Sequence, residues 1–230
     1  MAMQNPAIYM VGGSKGGVGK GFVTLALVEY LRRTDVHTVL VETDTSNPDL
    51  MKAVHDEIEC ASWDLDEAGG WIDFVNFCDK HRDATVIVNT AARSQAGVAR
   101  YGGTLAATLD DLARRLVVLW VINRQRDSLE LLLEFGETFL RALTHVVRIG
   151  YFGAPDKFML YGESNLRKAI EAQGWSLDFP ELAERVADEL RSQRLSIRKA
   201  AETMHIGERA ELLRWRALYS DMFARVTADA

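Results

Sequence analysis

Cysteine is scarce in this sequence: Cys60 and Cys78 are the only two in 230 residues, and their spacing suits no metal site. That excludes a disulfide-rich scaffold and leaves two thiols in a reducing cytosol as the expectation, with a single disulfide as the lesser alternative. Long apolar runs are missing too. Residues 7–11 and 116–122 are strand-sized, far short of a bilayer span. Residues 1–6 lack the basic start and apolar stretch of a signal peptide, so the expected location is cytoplasmic. Excess positive charge is absent as well. A formal net charge of -6 argues against a surface that attracts nucleic acid everywhere, while leaving room for a local basic patch. Repeats, low-complexity stretches and an interdomain linker are not found, and 230 residues suit one sizeable α/β unit, so residues 1–230 read as a single domain.

What is present is alternation. Short apolar runs trade places with helix-like segments, the pattern of βαβ units and a mainly parallel sheet. Strands are expected at 7–11, 38–42, 84–89, 116–122 and 145–149, the last completing the parallel core. Helices are expected from Gly19 to about Arg33, over 71–80, and over 128–141 with Ser128 as N-cap and Glu130 in the first turn. The acidic stretch 56–66 reads as a loop or edge. Beyond about residue 160 the pattern turns helical, interrupted near 174–180.

The strongest chemical signal is Gly12-Gly13-Ser14-Lys15-Gly16-Gly17-Val18-Gly19-Lys20-Gly21, set between the first strand and the first helix. Glycines let backbone N–H groups approach phosphate oxygens closely, and a helix N-terminus adds partial positive charge. Lys20 supplies a mobile ammonium for the β- and γ-phosphates. A plain glycine-rich turn is the alternative, and the six-residue match Lys-Gly-Gly-Val-Gly-Lys after a strand makes it the weaker one. The expected ligand is a nucleoside triphosphate held by Gly13, Ser14, Lys15, Gly16, Gly17, Val18, Gly19, Lys20, Gly21 and Phe22.

On these residues the chain resembles the deviant Walker A P-loop ATPases of the ParA/MinD group, proteins of plasmid partition and division-site positioning. Their mark is a second lysine early in the loop, matched by Lys15. The resemblance implies a P-loop NTPase fold, a mainly parallel sheet flanked by helices with a helical C-terminal portion from about 160 to 230. It also implies ATP (or ADP) with Mg²⁺, a homodimer formed with ATP, and a Lys15 that reaches the partner's nucleotide while Lys20 serves its own. Glu42-Thr43-Asp44 ends the second strand where the family carries an Asp-x-Asp switch, so Asp44 would orient attacking water or the magnesium shell. The alternative for Asp44 is a carboxylate capping the turn at 47–49. Asn89-Thr90 stands where the family has its Walker B aspartate, and would contribute only from the metal's second shell.

The sequence departs from the family where the metal is held. Gly21 replaces the Ser or Thr whose hydroxyl ligates Mg²⁺, Phe22 follows where another hydroxyl is common, and Asn89 brings no charge. The asparagine that reads adenine in the family is not found around 148–150. Losing such groups costs on the order of 100-fold in rate, so slow or absent hydrolysis is expected.

Other constellations are less specific. Arg191, Arg194, Arg198 and Lys199 form a basic cluster that suits nonspecific DNA, or a solvated helix face balanced by Glu189, Glu202 and Glu211. The stripe from Leu212 to Val226 suits a terminal helix docked on its own domain, or a membrane-binding tail. The leading reading is an ATP-dependent dimerisation switch in plasmid partition, maintenance or conjugal transfer, working with an adaptor protein. Its alternatives are a non-catalytic nucleotide-binding scaffold and a dethiobiotin synthetase-like ligase.

Overall fold

The computed structural model describes residues 6–14, 16–92 and 94–228. Strand β1 (Ile8–Gly13) feeds the glycine loop, and helix α1 (Lys20–Arg33) leaves it. Then come β2 (Thr38–Glu42), α2 (Asp49–Val54), β3 (Cys60–Ser62), α3 (Ala68–Lys80), β4 (Thr85–Asn89), α4 (Gln95–Tyr101) and α5 (Gly103–Thr108). The second half runs β5 (Leu116–Ile122), α6 (Asp127–Thr138), β6 (Leu143–Ile149), α7 (Met159–Gly162), α8 (Asn165–Glu171), β7 (Ser176–Phe179), α9 (Glu184–Ser192), α10 (Ile197–Thr203) and α11 (Ile206–Ala228). All seven strands pair in parallel, in the order β3-β2-β4-β1-β5-β6-β7.

Parallel strands need crossovers, and the crossover helices cover both faces. The residues of β1 therefore face two cores. Tyr9 and Val11 pack with α1 and the C-terminal helices, whereas Ile8 and Met10 pack with α3 to α7. Burial on both sides explains why β1, β2 and β5 are wholly buried and read as continuous apolar runs rather than alternating ones.

Helix α11 buries Leu212, Trp215, Tyr219, Met222, Phe223 and Val226, spaced so that they share one face. Each contributes roughly 1.5–3 kcal/mol of burial. Trp215 Nε1 donates to the Pro180 carbonyl at 2.8 Å and the Tyr219 hydroxyl to Glu29 at 2.6 Å, so the polar tips of these aromatics are also satisfied. The helix is thus docked on α1 and β7, and among the described residues no helix is long and apolar enough to cross a membrane.

Two expectations need correction, and a third resolves to one of its alternatives. The parallel core does not end at β6: residues 176–179 form a seventh strand, with only Leu177 and Phe179 buried, in register with Val147 and Ile149. The stretch 56–66 resolves to an edge, with β3 beside β2. Ser128 is not an N-cap: α6 begins at Asp127, its N-cap position is Arg126 with helical dihedrals, and Ser128 is fully buried inside the first turn. Its hydroxyl lies 3.0 Å from Ser14 Oγ and donates to Asn123 Oδ1 at 2.8 Å, tying α6 to the start of the glycine loop.

Candidate functional site

The site is built from strand ends. Parallel register brings Val11 of β1 opposite Asn89 of β4, and Asn89 opposite Glu42 of β2, so the C-terminal ends of three neighbouring strands open into one crevice. Into that crevice the chain turns at Gly13. A Cβ there would sit 2.8 Å from the Val121 carbonyl, which is why the strand can enter the loop so close to β5 only as glycine.

The loop itself needs glycine at two further places. Gly17 and Gly19 have φ of +78° and +105°, the region that L side chains avoid. Gly19 is also the N-cap of α1, and a Cβ on it would press against Ile149 at 3.2 Å. The result is a turn that aims amide groups and the helix N-terminus into the crevice. Among the loop residues, Val18 is buried and anchors the turn in the core, while Ser14 is held by Ser128. Lys15 lies outside the described residues.

Lys20 opens α1 and is buried, 7% exposed. Burial pulls its ammonium down to about 8, opposed by the carboxylates of Asp44 and Glu42. Beneath it lies a polar relay absent from the sequence reading. Asn89 Nδ2 lies 3.0 Å from both carboxylate oxygens of Glu42. Asn89 Oδ1 lies 3.0 Å from the Thr24 hydroxyl, which is also 2.9 Å from the Lys20 carbonyl, and its one proton serves either acceptor. Glu42 is 1% exposed, and burial pushes its carboxyl up to about 7 despite hydrogen bonds from the Asp44 amide and from Asn89. An aspartate at 89 would put a second acid against this one, so an amide is the partner that lets Glu42 be buried here.

Asp44 takes the turn-capping place foreseen as its alternative. Its Oδ1 accepts from the Asn47 amide at 3.0 Å, a turn cap, and it also lines the cavity beside Lys20. A directly ligated magnesium does not fit the side chains present. Gly21 offers no hydroxyl, and a Cβ built there meets nothing within 4 Å. Asn89 is engaged on both sides by Thr24 and Glu42. Among the described residues no group of three or more His, Cys, Asp or Glu could hold a metal ion.

Two cavities flank the start of α1. The larger, about 400 Å³, holds Lys20, Glu42, Asp44 and Asn89 on one wall and Leu190, Arg191 and Arg194 of the α9 end on the other. The second, about 240 Å³, is lined by Ile149, Tyr151, Phe152, Pro180 and Leu182. Both are bordered by Gly17, Gly19, Phe22 and Arg191. Together they have the size of a nucleotide site, one half polar and the other lined by aromatic rings.

The basic cluster is divided by this geometry. Arg191 and Arg194 border the larger cavity, while Arg198 pairs with Glu57 and Glu202 and Lys199 with Asp56. Of the carboxylates expected to balance the cluster, Glu202 pairs with Arg198 and Glu211 with Arg214, while Asp56 and Glu57 after α2 supply further partners. Sequence reasoning missed Glu42 as a site residue, although it stands at the first acid position of the quoted switch motif. It also missed Tyr151 and Phe152, for which no local signal exists.

Known proteins agree with this geometry. Residues 9–148 match the CobQ/CobB/MinD/ParA nucleotide binding domain. Protein MobD of Acidithiobacillus ferrooxidans is 53% identical over 211 residues, 91% of this chain and 93% of that protein. In structure the chain is similar to the MinD cell division protein of Aquifex aeolicus, with TM-score 0.53 and 11% identity over 90% of this chain and 95% of the other. It is also similar to a nucleotide-binding protein of Archaeoglobus fulgidus in complex with ADP, with TM-score 0.52 and 15% identity over 83% and 88% of the two chains. A family match across more than half the chain, a glycine loop between β1 and α1, and a parallel sheet that opens onto it lead to one assignment: the chain belongs to the CobQ/CobB/MinD/ParA nucleotide-binding family.

Proposed function

We propose that the chain is an ATP-binding switch of the ParA/MinD type, homodimeric when ATP is bound and slow or inert in hydrolysis. The observation that carries this reading is the buried Lys20 at the head of α1, facing a cavity rimmed by the αL glycines Gly17 and Gly19 and floored by Glu42, Asp44 and Asn89. In this account the amides of residues 13–22 cradle the phosphates, Lys20 holds them from within the subunit, and Lys15 reaches the partner's nucleotide. Asp44 positions the attacking water, and Asn89 acts only by holding Glu42 and Thr24. The base occupies the cavity lined by Tyr151 and Phe152, and ATP is preferred over GTP on family kinship.

Nucleotide then acts by changing the population of a dimer whose joined surface takes DNA or an adaptor protein, in plasmid partition, maintenance or conjugal transfer. Sizing by light scattering without nucleotide, with ADP and with ATP tests it. A dimer with ATP and a monomer otherwise is expected, and one mass in all three conditions contradicts the switch. A non-catalytic scaffold is the second reading, favoured by Gly21 and Asn89. Phosphate release at saturating ATP separates the two, since the scaffold gives none. A dethiobiotin synthetase-like ligase has less in its favour, because apart from Lys20 the basic groups of the larger cavity, Arg191 and Arg194, come from the end of α9 and the turn after it.

A further inference from the structure

Two hydroxyl positions after Lys20 are occupied by Gly21 and Phe22, and the structure shows what Phe22 does with its place. Its ring lies between two groups from the C-terminal helices. Trp215 meets it edge-on with centroids 6.3 Å apart, and the Arg191 guanidinium carbon lies 5.6 Å from its centroid. Arg191 is carried by the last turn of α9 and borders both cavities, at the junction where a polyphosphate would pass from the base half to the Lys20 half. The aromatic that displaced a metal-side hydroxyl is therefore the platform on which a fixed cation rests.

We propose that Arg191 neutralises the polyphosphate in place of a magnesium ion, so that this chain binds its nucleotide without a divalent cation. The inference rests on the nucleotide-binding reading above. Guanidinium suits the task because it stays charged and offers forked donors that match phosphate oxygens two at a time. Its present partner does not hold it back. Arg191 pairs with Asp188 at 2.6 Å, three residues earlier on the same helix, with both side chains more than 60% exposed. An exposed pair of that kind contributes little and exchanges readily for a phosphate. Arg194 borders the larger cavity alone, with its Nε bound to Asp49 Oδ1 at 2.8 Å, and so lies off the junction of the two. The opposite wall agrees with the exchange: Gly21 presents no ligand, and Asn89 is committed to Glu42 and Thr24.

Calorimetric titration of ATP into the full chain, in excess EDTA and in excess Mg²⁺, tests this together with Arg191→Met, Arg191→Lys and Arg185→Met. Arg185 sits on the same helix, lines neither cavity and pairs with Glu208, so it controls for loss of a helix α9 cation away from the site. The expected result is wild-type affinity that agrees in the two buffers to within about threefold. Arg191→Met should weaken it roughly 10- to 100-fold in both buffers, with Arg191→Lys between and Arg185→Met unchanged. Circular dichroism confirms that each variant is folded. Wild-type binding that vanishes in EDTA, or Arg191→Met that binds as tightly as wild type, overturns the proposal and leaves the nucleotide reading standing. Absence of binding by wild type in both buffers overturns the nucleotide reading itself.

Discussion

The wall of the larger cavity opposite the end of α9 has two sides built on different principles. On the loop side, Gly13, Gly17, Gly19 and Lys20 supply backbone geometry and one buried ammonium, and each glycine is fixed by a steric or dihedral demand. On the acid side, the Glu42, Asn89 and Thr24 side chains and the Asp44 amide are wired to one another by hydrogen bonds, with no hydroxyl at position 21 to bring a metal in. The loop side can cradle a phosphate as it stands. The acid side has been rebuilt around a buried carboxyl, and its chemistry depends on what neutralises it. On the proposed reading, binding and hydrolysis rest on different sides of this wall and are separable.

The sharpest way to break that comparison is at Gly19. A valine there would carry a side chain at φ of +105° and press on Ile149. Loss of the loop's amide geometry should cost at least roughly 100-fold in ATP affinity, read by calorimetry. The same change should leave the Glu42–Asn89 pairing intact.

A smaller effect, of opposite sign, is expected on the acid side. Gly21→Ser places a hydroxyl into open space and should create Mg²⁺-dependent phosphate release, on the order of 10- to 100-fold above wild type. No gain at saturating ATP would mean that Asn89, not Gly21, limits turnover.

Stability against pH probes the buried acid directly. Glu42 keeps its proton up to about 7 in the folded chain, whereas the unfolded chain releases it near 4.5. The folded state therefore binds more protons in that window, and stability falls as pH rises through it. Glu42→Gln removes this slope and should raise stability at pH 8 by about 1–3 kcal/mol relative to wild type, less whatever the mismatched amide pair with Asn89 costs. Lys20 contributes the reverse slope, its depressed ammonium making stability rise between about 8 and its ordinary 10.5. Chemical denaturation at pH 5 and pH 8 checks the sign.

The smallest effect is expected far from both sides of that wall. Arg198→Ala with Lys199→Ala removes cations already paired with Glu57, Glu202 and Asp56. Salt-dependent DNA retention in mobility shift should change less than about threefold, since paired surface cations release few counterions on binding. A collapse of DNA binding in that double variant would restore the basic cluster as a nucleic-acid surface.

What was legible in the sequence follows from range. Strands β1 and β5 are continuous apolar runs, and β2 and β4 nearly so, because parallel burial makes them so, and the glycine loop declares itself within ten residues. Strand β7 was hidden because it is four residues long, alternates, and follows Gly174, where close approach to the Thr144 carbonyl leaves no room for a Cβ. The Glu42–Asn89 pair is set by register between strands 47 residues apart, and Arg191 reaches the loop only through the docking of α9 to α11. Neither follows from local pattern, since each depends on which strand ends and helix ends the fold brings side by side.

A calorimetric comparison of wild type with Lys20→Gln, titrated with ATP and with GTP, goes straight to the heart of the account. Saturable binding of ATP by wild type, weakened at least about 50-fold by the glutamine, is the predicted result. Equal affinity of the two proteins, or no heat with either triphosphate, would contradict it.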